Sequence, residues 1–171
     1  MTKLRASMGK VVLDFPGDTA LLEAAGKVSL AHGQLELMLR MTIKILSGLS
    51  VQDALDATAS SKNWELRRDI DKLFRQKTKD VVLHYQLKAL LARCEQLSEE
   101  RNKLLHNAWA ITPDGSVVVK GDKHAWGKAP TADDLNELAS EIKKYVGLLD
   151  QARLEGFISD VCKADKLEFT S

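Results

Sequence analysis

The chain has 171 residues, of which 44% are hydrophobic and 29% charged, with 10 glycines and 3 prolines. That mix suffices to bury the core of one ordinary domain, and it excludes a disordered, collagen-like or low-complexity polymer. Lysine plus arginine number 25 against 24 acidic residues, a net charge of +1. A whole-molecule cationic grip on nucleic acid is thereby excluded, and any polyanion site must be a local patch.

Aromatic residues make up only 5% of the chain, which favours helices packed by leucine and alanine. After a short N-terminal stretch, Asp18 is placed as the N-cap of a long helix running to about Ser47, with Gly48 as its stop. Its apolar stripe reads Leu21, Ala25, Val28, His32, Leu35, Leu39 and Leu46, widened by Met38 and Ile45, which is helical period and not strand alternation. Ser50 precedes a short second helix, VQDALDA. Ser61 is a candidate cap for a third, containing Trp64, Leu66, Ile70, Leu73 and Phe74.

Asp80 opens the clearest element, a helix expected to extend to about Trp109. Its seam is Leu83, Leu87, Leu90, Cys94, Leu97, Arg101, Leu104 and Ala108, spaced alternately four and three. The turn Thr112-Pro113-Asp114-Gly115 then separates Trp109-Ala110-Ile111 from Ser116-Val117-Val118-Val119-Lys120, which reads as a small β-hairpin. A loop with Gly121 and Gly127 follows. Pro130-Thr131-Ala132-Asp133-Asp134 has the form of a capped helix start, and Leu135, Leu138, Ile142, Tyr145, Leu149 and Ala152 form the buried face of a last long helix. The expected fold class is all-α: an antiparallel bundle of four to five helices with a hairpin near 109–120. Its expected organisation is an arm over 1–17, the bundle over 18–158 and a tail over 159–171.

Cys94 and Cys162 stand far apart, with neither a CxxC nor zinc-ligand spacing, so they read as ordinary thiols in a reducing compartment. The N-terminal stretch lacks an apolar core of signal-peptide length. The most hydrophobic region, 35–49, is interrupted by Glu36, Arg40 and Lys44 and cannot cross a bilayer. A cytoplasmic protein without a membrane partner is the expectation.

The fourth helix carries the anomaly. Arg101 occupies a seam position where the register asks for leucine, and a guanidinium stays charged at any relevant pH, so it needs an acceptor. On a continuous helix Asn102, His106 and Trp109 share an adjacent face at spacings of four and three. A fixed cation, an amide and an imidazole thus fall within about one and a half turns. One reading is structural, with Arg101 paired to Glu36 or Glu95 and His106 either a satisfied core histidine or a helix-end cation. The other is chemical.

Arg101-Asn102-x-x-x-His106, late in a long helix of a small helical bundle, resembles the motif of the HEPN superfamily: an arginine, a polar residue and, after a short gap, a histidine. Four residues separate Arg101 from His106 here. The resemblance covers the bundle in broad terms but rests specifically on this one motif. It implies a metal-independent endoribonuclease, needing no cofactor, in which two chains face their motifs across a shared cleft. It also implies the alternative of a catalytically silent helical dimer that serves as a binding or scaffold protein.

On that implication His106 is the acid–base group, Arg101 the phosphate clamp and Asn102 the positioning residue. Trp109, Lys103 and His124 contact substrate, and RNA and an antitoxin or regulatory protein are the partners. Imidazole suits proton transfer near neutral pH, and a planar guanidinium can hold two phosphate oxygens at once. Arg101 and His106 diverge by roughly 140° on a continuous helix, which favours convergence across a two-fold axis and hence a homodimer.

Other features have two readings each. The stretch Lys62 to Lys79 carries seven lysines and arginines against three acidic residues. It is either an RNA phosphate track with Trp64 stacking a base, or a solvated helix face. His124 and Trp126 belong either to a lid over the cleft or to a plain surface loop. His32 is either a satisfied buried histidine or, with Glu36, a support for Arg101. No Glu-x-x-His, His-Glu-x-x-His, phosphate-loop or dinucleotide motif occurs, so no metal or nucleotide site is expected.

Overall fold

A computed structural model of the chain describes residues 11, 13, 16–105, 107–121 and 125–168. Six helices and one small sheet follow in order: α1 (Thr19–Ser47), α2 (Val51–Ala57), α3 (Asn63–Lys77), α4 (Val81–Leu105), β1 (Trp109–Ile111), β2 (Val117–Lys120), β3 (Trp126–Lys128), α5 (Ala132–Leu154) and α6 (Phe157–Glu168).

Each long helix starts where its capping chemistry lies. The Asp18 carboxylate accepts from the backbone N–H of Ala20 and Leu21, and α1 stops at Gly48, whose φ of +72° is one a side chain would resist. Ser50 caps α2 through the N–H of Asp53. The N-cap of α3 lies one residue later than the sequence suggests, at Lys62 and not Ser61. There the Glu65 carboxylate accepts from the Lys62 backbone N–H at 2.7 Å. A lysine side chain has no acceptor to return the bond, so only half of a capping box exists. Asp80 caps α4 through Val82 and Leu83, and Thr131 and Asp134 complete a full box at α5.

The core is built from the stripes read in the sequence. Val28, Leu35, Leu39 and Leu46 of α1 meet Leu66, Ile70 and Phe74 of α3. They also meet Leu87, Cys94 and Leu97 of α4 and Leu135, Ile142 and Leu149 of α5. Phe74, fully buried, packs edge-on against His84 and Phe157 at centroid distances of 5.4 and 5.8 Å, tying α3, α4 and α6 together.

Three expectations are corrected. The bundle is not antiparallel throughout. Lys27 of α1 reaches Asn136 of α5, and Leu30, Ala31 and Gln34 line one groove with Ala139, Ser140 and Lys143, so these two helices, the most extensively packed pair, run the same way. Helix α4 runs against α3, as the Arg67–Glu95 ion pair and the Phe74–His84 ring contact show. Asn63 at the start of α3 lies against His32 in the middle of α1, so α2 returns the chain before α3 begins and neighbouring helices need not alternate.

The hairpin, second, is a three-stranded antiparallel sheet in the order β1-β2-β3, with Trp109 opposite Val119 and Val119 opposite Gly127. Residues 126–128, read as loop, pair with β2. The turn closes through Gly115 at φ +83°, its N–H donating to Thr112. Third, most of the segment expected as a tail, residues 159–168, belongs to α6, which begins at Phe157 and buries Ile158 and Val161 against the core. Among the described residues no helix is long and apolar enough to cross a membrane.

Candidate functional site

The C-terminal end of α4 is where the sequence places its chemistry. Helix α4 stops at Leu105, four residues short of the expected Trp109. Two side chains finish it: Asn107 Nδ2 donates to the Lys103 carbonyl at 2.5 Å, and the Trp109 indole Nε1 donates to the Leu104 carbonyl at 2.7 Å. Such bonds satisfy carbonyls that a helix end leaves without intrahelical partners. Trp109 therefore belongs to β1, half-buried and packed against the core, and does not continue a helical face with Asn102.

Arg101 is half-buried, and its Nη1 donates to Asn102 Oδ1 at 2.9 Å. Asn102 and Lys103 are exposed. The carboxylates named as structural partners for Arg101 are engaged elsewhere: Glu36 with Arg40 at 2.6 Å, and Glu95 with Arg67 at 2.8 Å. Arg40 also donates to the Thr58 carbonyl, anchoring the end of α2 to α1. The structure thus brings Arg101 and Asn102 together beside Lys103. His106 and His124 lie outside the described residues.

One turn before Asn102 a buried polar cluster joins three helices. His32 of α1 has its Nε2 3.3 Å from Ser98 Oγ of α4 and 3.1 Å from Asn63 Nδ2 of α3. Ser98 Oγ donates back to the Cys94 carbonyl at 2.9 Å. His32 and Ser98 are 7% and 5% exposed, while Asn63 is half-buried at the edge of the cluster. Sequence reading singled out His32. It missed Asn63, whose only local mark is its place at the first position of α3.

No group of three or more histidine, cysteine or acidic side chains suited to a metal ion occurs among the described residues. No family model, no curated protein and no solved structure matches this chain. Function must therefore be argued from the residues themselves.

Proposed function

We propose that the chain is a metal-independent endoribonuclease of HEPN type acting as a homodimer. The observation that carries the reading is the Arg101–Asn102 hydrogen bond at the partly open end of α4, four residues before His106 in the sequence. In the reaction the RNA 2′-hydroxyl attacks the adjacent phosphorus while a base takes its proton. The P–O5′ bond breaks, and an acid returns a proton to the departing 5′-oxygen. A 2′,3′-cyclic phosphate and a 5′-hydroxyl result, with no water consumed. His106 serves the proton transfers, and two copies supply two imidazoles, one for each. Arg101 faces the charge that builds on the non-bridging oxygens, with Asn102 holding the guanidinium from one side. Lys103, Trp109 and His124 are the proposed substrate contacts.

The second reading is a catalytically inactive helical dimer that serves as a binding or scaffold protein. What favours it is the largely buried His32–Asn63–Ser98 cluster, which spends polar groups near Arg101 on joining helices.

Incubating the purified chain with mixed RNA in EDTA separates the two. The nuclease reading expects cleavage to cyclic-phosphate ends, with His106→Ala and Arg101→Ala each losing on the order of 10²–10⁴-fold in rate while their far-ultraviolet spectra stay unchanged. A parent protein that leaves RNA intact gives the decision to the scaffold.

A further inference from the structure

The outer face of α3 is organised. Trp64, Arg68, Lys72 and Arg75 recur at spacings of four, four and three, which confines them to about 80° of arc on a helix of ~3.6 residues per turn. Leu66, Ile70 and Phe74 occupy the opposite side and are fully buried, so core packing aims the stripe at solvent. All four stripe residues are exposed. The Arg68 guanidinium lies 5.1 Å from the centroid of the Trp64 ring. Lys79, just past the helix, folds back so that its Nζ donates to the Arg75 carbonyl at 3.4 Å, extending the row.

Lys62 to Lys79 carries a local charge of +4 in a chain whose total is +1. Arg68 and Arg75 have acidic neighbours, Asp69 at 3.2 Å and Asp71 at 2.9 Å. Both arginines are exposed and their pairs at least partly open to water, where such contacts contribute little. Successive cations four residues apart are separated by about 6 Å of helix rise, comparable with the separation of neighbouring phosphates along an extended single strand. The Trp64 end of the row lies toward Arg101. Asn63 is next to Trp64 in the chain and touches His32, which touches Ser98, one turn before Asn102.

We infer that this face, from Trp64 through Arg68, Lys72 and Arg75 to Lys79, binds single-stranded RNA. Trp64 stacks a base and the cations follow the backbone. The inference rests on the reading of the chain as a protein that acts on RNA. It supplies the substrate-holding surface that a net charge of +1 denies to the molecule as a whole.

The test uses a fluorescent 2′-O-methyl oligoribonucleotide, which cannot be cleaved by its own 2′-oxygen, so binding is read apart from catalysis. Anisotropy titrations over a range of salt should show an Arg68→Ala/Lys72→Ala/Lys79→Ala variant binding at least about ten-fold more weakly. The slope of log affinity against log salt should be shallower by about 2, since each single-strand phosphate contact contributes ~0.7. Trp64→Ala should also lose on the order of ten-fold but keep the parent's slope, and Trp64→Phe should recover most of the loss.

An unchanged affinity and slope in the triple variant overturns the inference. So does a parent that binds polyglutamate or anionic vesicles as tightly as the oligonucleotide. The two proposals fail separately. A parent that binds the oligonucleotide through this face but leaves unmodified RNA intact refutes the nuclease alone. One that cleaves RNA while the triple variant binds normally refutes the RNA-binding face alone.

Discussion

Cys94 shows how one residue's chemistry is set by its neighbours. It sits at a seam position of α4 with no exposed surface, and burial pushes its thiol from 9.0 up to about 12, with Arg67 only partly offsetting the effect. The reactive species is the thiolate. At pH 8 its share falls from about a tenth to about one part in ten thousand. Titrating the native protein with a disulfide reagent should therefore leave Cys94 unmodified until denaturant is added. Labelling at the rate of a free thiol would show that this side of α4 opens readily. Trp109 makes a related point in the other direction. The sequence expectation made it a substrate contact, yet its indole N–H closes the last turn of α4. Any contact it makes with substrate must use the ring and not that donor.

Among the elements, α5 shows the clearest local control. The Asp134 carboxyl is held below its ordinary value of 3.8, first by the Thr131 backbone N–H and then by the Thr131 hydroxyl. A carboxylate whose pKa is lowered on folding stabilises the fold at pH above its unfolded value. That contribution is lost as pH falls through the folded value. Asp134→Asn should accordingly melt at a lower temperature than the parent near neutral pH, and the difference should shrink toward zero by about pH 2. A difference that persists in acid would assign the effect to something other than the charge. At α1, Asp18→Ala removes the acceptor for two backbone N–H groups and should cost about 1 kcal/mol in a urea titration. A loss near zero would mean that tertiary packing alone fixes this helix end.

On the scale of the whole molecule, stability concentrates where α3, α4 and α6 meet. Phe74 is fully buried and touches aromatic rings from both other helices. Phe74→Ala leaves a void that neighbouring helices cannot fill without moving and should destabilise by about 3–5 kcal/mol. A cost below about 1 kcal/mol in chemical denaturation would show that α6 packs only loosely. This junction lies at the opposite end of α4 from Arg101. The variant should therefore reveal whether the site's end of the bundle depends on the far end for its order.

The boundaries of α1, the start of α4 and α5, and the stripes that became the core were legible in the sequence. They depend on interactions within a few residues: capping oxygens, a glycine able to take positive φ, and apolar side chains at helical spacing. The end of α4 was not legible, because the four–three periodicity continues through Ala108 while pairing with Val117–Lys120 draws Trp109 into a strand. Nor were the third strand and the final helix. Their short, mixed sequences acquire structure only from partners far along the chain. The common direction of α1 and α5, and the meeting of His32, Asn63 and Ser98, were decided entirely by tertiary packing. Periodicity states which face of a helix is buried, but it holds no information about which other helix covers that face or in which direction it runs.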